Sequence, residues 1–146
     1  LGINDVLALR GDPPKGSRVF FPDPGGHRNT NELVEQIAMM NRGQYLDPDL
    51  KNTAPTSFCI GVAGYPEKHF EAPNLKSDMI NLKRKVDAGA CYIVTQMFFD
   101  NEKFYAFRDA LRAMGVTVPL IPGIKPVSGR PARGAASNCF WGMQPV

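Results

Sequence analysis

Several polar residues of this chain stand where short apolar runs stop, and their types suit the binding of a large, charged ligand. Arg10, Gly11 and Asp12 follow "DVLAL", Tyr65 follows "FCIGVAG", Gln96 closes "CYIVTQ", and Lys125 follows "LIPGI". Asp12 could simply pair with Arg10 at a turn. Gly11, Pro13 and Pro14 favour a fixed turn, and a carboxylate held still is better placed for chemistry than a mobile one. Tyr65 and His69 lie in the loop "GYPEKHFEAPN". A ring there can stack on a flat heterocycle and an imidazole can donate to an anion or carbonyl, although the same spacing would let both fill a surface groove. Gln96 can donate and accept at once, which suits a heterocycle with amide-like edges such as a pterin; it could equally cap its own loop.

A second group rides on a helix. Leu75, Met79, Leu82 and Val86 recur at helical spacing and make one apolar stripe. Asp78, Asn81 and Lys85 form a stripe beside it, with Arg84 a little further round. An acid, an amide and two cations can hold a ligand bearing both sugar hydroxyls and phosphates. The pattern also fits a solvated face on which Asp78 complements Lys85. With two histidines and no carboxylate pair at ligand spacing, a metal site is not expected.

The elements that must position these groups alternate. Asp5 to Leu9 reads as a strand. After a polar loop to about Arg28, Asn29 with Glu32 resembles a capping box, and Leu33, Val34, Ile37 and Met40 follow at helical spacing. Phe58 to Ala63 is a second strand, a second helix runs to about Ala88 with Gly89 beyond it, and Cys91 to Gln96 is a third strand. Asn101 to Met114 is a third helix ended by Gly115, and Val118 to Ile121 a fourth strand. Such alternation predicts a parallel α/β architecture, either a TIM barrel or a doubly wound sheet. No GxGxxG or GxxxxGK[ST] follows the early strands. The polar residues fall at strand C-terminal ends, the functional rim of a TIM barrel. A barrel has eight strands in about 250 residues, so four strands and three helices predict its central part only.

The chain has 146 residues, 43% hydrophobic and 21% charged, which suits one folded domain rather than a disordered segment. A net charge of +3 with interleaved signs predicts no nucleic-acid partner. No run approaches the roughly twenty apolar residues of a membrane span. Cys59, Cys91 and Cys139 are odd in number and far apart, two of them inside apolar runs, so buried, reduced thiols and a cytoplasmic location are expected. Arg10-Gly11-Asp12 is also a tripeptide read by adhesion receptors, but an RGD-displaying interaction module would need export. Asn4 and Asp5 stand where a leader needs an apolar core.

"ALRGDPPKG", "GVAGYPEKHFEA", "LKRKVDAGACYIVTQMFFDN" and "VPLIPGIKPV" together resemble, in order and spacing, the catalytic domain of methylenetetrahydrofolate reductases over residues 1–127. Residues 128–146, rich in Gly, Ala, Pro and Arg, do not match the family's next helix and strand and read as an atypical tail. The resemblance implies a TIM-barrel flavoprotein with non-covalent FAD, NAD(P)H as hydride donor and methylenetetrahydrofolate as substrate, homo-oligomeric at full length. It implies FAD contacts at Arg10, Gly11, Asp12, Tyr65, His69, Ala72, Asp78, Asn81, Arg84 and Lys85, and folate contacts at Asp12 and Gln96. Asp12 would lie near the flavin's pyrimidine edge, where negative charge favours hydride release. The family's general acid is a glutamate on the first barrel strand. No residue here matches it, and Glu67 and Glu71 belong to a different loop, so an inactive fragment is the alternative to an active reductase. Cys91 stands where many members of the family carry a polar or acidic residue.

Overall fold

The computed structural model describes residues 2–13, 17 and 19–124. Four strands, β1 (Asp5–Ala8), β2 (Cys59–Gly64), β3 (Tyr92–Thr95) and β4 (Leu120–Ile121), alternate with three helices, α1 (Thr30–Met40), α2 (Leu75–Asp87) and α3 (Asn101–Ala113). The strands form one parallel sheet in the order β1-β2-β3-β4.

One face of the sheet explains both the order and the core. Ala8, Ile60, Val62 and Ile93 point to a single buried cluster that also takes Val34 and Ala38 of α1, Met79 and Leu82 of α2, and Phe107 and Leu111 of α3. All three crossovers therefore cover the same face. A doubly wound sheet reverses its strand order and carries helices on both faces; consecutive order with helices on one side is the winding of an α/β barrel. Among the described residues no helix covers the other face, where Leu7 is 43% and Ile121 46% exposed. Across it lies Tyr92, whose hydroxyl donates to the Val6 carbonyl at 3.2 Å. Gly61 makes room for this ring, because a Cβ there would land on it.

Local chemistry sets the helix ends. The Glu32 carboxylate reaches back to accept from the backbone N–H of Arg28 (2.9 Å) and Asn29 (3.4 Å), so two donors freed at the start of α1 are satisfied. Asn74 caps α2 by accepting from Ser77 N–H at 2.8 Å, and Asp100 caps α3 by accepting from Glu102 N–H at 2.9 Å. Gly89 and Gly115 follow α2 and α3 with φ of 124° and 81°, a backbone that a side chain would strain.

The strands are displaced from their sequence boundaries for identifiable reasons. Phe58 is outside β2 because the Asn41 side chain takes its backbone: Asn41 Oδ1 accepts from Phe58 N–H and Asn41 Nδ2 donates to Phe58 O, both at 2.8 Å. Gly64 joins β2, its carbonyl accepting from Gln96 N–H at 2.7 Å. β4 shrinks to two residues. Val118 gives its carbonyl to Arg112 at 3.1 Å, and Pro119 has no N–H to offer a ladder. Leu9, Cys91 and Gln96 likewise flank their strands, and Met114 and Ala88 are the C-caps of α3 and α2. The expectation of buried thiols is corrected: Cys59 is half-buried and Cys91 exposed, because both lie at strand starts away from the helices. Lys125, Cys139 and the tail at residues 128–146 lie outside the described residues.

Candidate functional site

At the C-terminal ends of β1 and β2 opens a cleft of about 340 Å³. Each wall comes from a different element. β1 and the residues after it bring Arg10 and Asp12; the loop after β2 brings Tyr65 and His69; α2 brings Asp78, Asn81, Arg84 and Lys85. These eight residues, separated by up to 75 positions in sequence, meet because every crossover returns the chain to the same end of the sheet.

Asp78 is the junction. Placed in the first turn of α2, where the helix dipole favours a negative charge, its Oδ2 accepts from the His69 N–H at 2.8 Å and so ties the loop to the helix. The loop is further held by Lys68. That residue adopts φ of 90°, and its ammonium donates to the carbonyls of Ala72 (2.7 Å) and His69 (3.1 Å).

The titratable groups are poised by burial and by this charge. Burial pushes the His69 imidazole below its ordinary value, against the pull of Glu71 and Asp78. Its Nδ1 accepts from Glu71 N–H at 3.2 Å, so the neutral ring carries its proton on Nε2. Burial also raises the Tyr65 phenol, helped by the negative charges of Asp78 and Asp12, which keeps an O–H donor there. Tyr65 meets His69 edge to face at 4.7 Å. Lys85 is lowered by burial, with Asp78 opposing, and its ammonium donates to the Ala63 carbonyl at 3.3 Å. Asn81 Oδ1 accepts from Arg84 at 3.3 Å.

Arg10 does not pair with Asp12. Its guanidinium instead meets Glu71 at 2.6 Å and lies over the Phe20 ring at 4.9 Å, while Asp12 stays exposed. Asp78 and Lys85 make no direct ion pair either: the carboxylate is turned to the loop backbone and the ammonium to the strand.

Three of the expected contacts are outside the cleft lining. Gly11 is exposed with open space around its Cα, Ala72 gives its carbonyl to Lys68 and its N–H to His69 O, and the Gln96 Oε1 accepts from Met97 N–H at 3.2 Å. Two features of the lining went unread in sequence. Glu71 faces the cleft as the counter-ion of Arg10, and the start of α1 contributes Asn29, Thr30 and Asn31. The second was readable in principle, since a helix that follows a strand in this architecture starts at the strand's C-terminal end.

Among the described residues no group of three or more His, Cys, Asp or Glu could hold a metal ion, and no helix is long and apolar enough to cross a membrane. The cleft is lined by two guanidinium groups, an ammonium, three carboxylates, amides and a phenol beside an imidazole, group types that can meet phosphate oxygens, hydroxyls and a flat ring.

Comparison with known proteins agrees in extent. The family model described as methylenetetrahydrofolate reductase matches residues 1–133. The chain is 42% identical over 129 residues to methylenetetrahydrofolate reductase 2 of Saccharomyces cerevisiae and 43% identical over 136 residues to methylenetetrahydrofolate reductase (NADH) 1 of Arabidopsis thaliana, each match covering 87% of this chain. It is 41% identical over 130 residues, 87% of its length, to the 5,10-methylenetetrahydrofolate reductase of Salmonella typhimurium. It spans 19%, 21% and 36% of those three proteins, respectively. A match over 133 residues that takes in β1 to β4, every helix between them and the whole cleft puts this chain in the methylenetetrahydrofolate reductase family.

Proposed function

We propose that the chain is the central barrel portion of a flavin-dependent reductase that converts methylenetetrahydrofolate to methyltetrahydrofolate with NAD(P)H as hydride donor. The observation that carries this reading is the charge plan of the cleft. Arg84 and Lys85 share α2 with Asp78 and Asn81 and line one cavity with Arg10, which is held by Glu71, a donor set that fits the pyrophosphate and ribose of FAD. Bound there, the flavin would take a hydride from the nicotinamide and deliver it to the folate.

The chain's own residues have separable tasks. Arg84 and Lys85 neutralise phosphate charge, Lys85 from a largely desolvated position where each contact is worth more than in water. Asp78 fixes the His69 backbone and so the loop that bears Tyr65, which limits what can move when a ligand enters. His69 presents an Nε2 proton as a donor, since its Nδ1 is engaged. Asp12, exposed at the mouth, is the group available to both the ring edge of the cofactor and the incoming pterin, with Gln96 as a further folate contact. Gly11 and Ala72 would offer backbone rather than side-chain contacts.

A cytosolic, homo-oligomeric enzyme completes the reading, and the free thiols of Cys59 and Cys91 suit a reducing compartment. The test uses the full-length protein under anaerobic conditions. NAD(P)H should bleach its flavin absorbance and methylenetetrahydrofolate should restore it with formation of methyltetrahydrofolate. A full-length protein whose flavin is bleached but not restored by folate would refute the substrate, and one without flavin would refute the class.

A further inference from the structure

The N-terminal ends of the strands, at the opposite end of the sheet from the cleft, carry a second reactive cluster. In the β1–β2 register Asp5 stands opposite Cys59. Cys91 lies on the neighbouring strand's approach, its backbone N–H donating to the carbonyl of Ile60, one residue beyond Cys59, at 2.7 Å. Strict alternation would turn Cys91 to the helix side. It is not there: Ala90 and Ile93 are both buried among the helices, at 4% and 0% exposure, so the alternation slips between them. Cys91 is exposed, its thiol donating to the Gly89 carbonyl at 3.6 Å, while Cys59 and Tyr92 lie on the open side of the alternation set by Ile60 and Ile93. Both thiols are free, Cys59 half-buried and Cys91 exposed. Burial raises the pKa of the Cys59 thiol, and the neighbouring Cys91 and Asp5 side chains raise it further.

We propose that Cys59 and Cys91 form a reversible disulfide under peroxide, stapling the start of β2 to the start of β3. The register sets Cys91 beside Ile60, one residue along from Cys59; a strand spacing of roughly 4.8 Å combined with one residue's rise of roughly 3.3 Å puts the two Cα atoms about 6 Å apart, inside the separations of about 4.4–6.8 Å that a disulfide spans. The exposed Cys91 reacts first. Its thiolate sulfur attacks hydrogen peroxide, the O–O bond breaks, hydroxide leaves and is protonated to water, and a sulfenic acid forms. The Cys59 sulfur, giving up its proton, then attacks the Cys91 sulfur; the S–S bond forms as the S–O bond breaks and a second water departs. Two thiols are oxidised by two electrons and one peroxide is reduced to two waters. A dithiol reverses the step.

The site is independent of the folate chemistry and is tested without it. The native full-length protein is treated with hydrogen peroxide, remaining thiols are alkylated, and tryptic peptides are mapped by mass spectrometry. Expected is a species joining peptide 52–68 to peptide 86–103, two hydrogens lighter than their sum and lost on dithiothreitol, with loss of both alkylated peptides and with far lower yield from the chain in urea. Alkylation of both cysteines after peroxide, separate oxidation of each to sulfinic acid, or links only through Cys139 or between chains would overturn the proposal. With Cys59→Ser, a dimedone adduct should accumulate on Cys91 beyond that in the unaltered chain; equal adduct would overturn the order of the two steps.

Discussion

Replacing Lys85 with Met separates what this side chain does for the ligand from what it does for the fold. The ammonium sits in a largely desolvated position with one long hydrogen bond, 3.3 Å to Ala63 O, and burial lowers its pKa from 10.5. A lysine with a depressed folded value adds stability only above its unfolded value, and that stability is lost as pH falls through the folded value. At pH 7 Lys85 therefore carries its full desolvation cost. Methionine keeps most of the stem's packing, a volume-conserving change that costs under about 1.5 kcal/mol, gives up a hydrogen bond of about 0.5–1.5 kcal/mol net, and removes the buried charge. These terms offset, so Lys85→Met should leave stability at pH 7 within about 1 kcal/mol of the original or above it. Any advantage of the variant should shrink as pH rises toward 10.5. A hydrogen bond to a charged group is worth about 1.5–3 kcal/mol. Affinity for FAD should accordingly fall by about 10- to 150-fold. Urea denaturation of the chain reads the first quantity and flavin fluorescence titration of the full-length apoprotein the second. Unchanged FAD affinity, or destabilisation beyond about 2 kcal/mol, would refute the assignment of this charge to the ligand.

Three other outcomes follow from the same geometry. Leu82→Ala removes a side chain only 3% exposed between α2 and the sheet and should cost about 2–5 kcal/mol in urea denaturation; a cost near zero would mean α2 is not docked as described. His69, lowered by burial, contributes stability that is present above its unfolded value of 6.5 and lost as pH falls through its lower folded value. The stability difference between the chain and a His69→Gln variant should therefore decline as pH falls below 6.5 and level off below the folded value, and a pH-independent difference would contradict it. Asp12→Asn in the full-length protein should retain FAD while folate turnover falls, because Asp12 is exposed and its loss should spare the fold; turnover equal to the unaltered protein would remove Asp12 from the chemistry.

The alternation of elements and eight residues of the cleft lining were legible because apolar periodicity and strand-end residues are local signals. Asp78, Asn81, Arg84 and Lys85 could be grouped from helical spacing alone. What failed to show was decided by contacts distant in sequence. Nothing local indicates that Asn41 would take the backbone of Phe58, 17 residues on, or that Arg10 would choose Glu71, 61 residues away, over Asp12. The exposure of Cys91 was hidden for a different reason: its apolar neighbours suggest burial, but Ala90 and Ile93 take the buried positions on either side and leave it exposed. Gln96, read as a folate contact, accepts from the Met97 backbone N–H through its side-chain carbonyl, which leaves its amide N–H groups and a second lone pair for a ligand.

The central claim is that the cleft at the C-terminal ends of β1 and β2 is the FAD site, and a structure of the full-length protein with FAD bound tests it most directly. The account predicts the dinucleotide within hydrogen-bonding distance of Asp78, Asn81, Arg84 and Lys85, with the flavin ring near Asp12 and Tyr65. Flavin bound elsewhere, with these side chains in the same contacts as in the free chain, would contradict it.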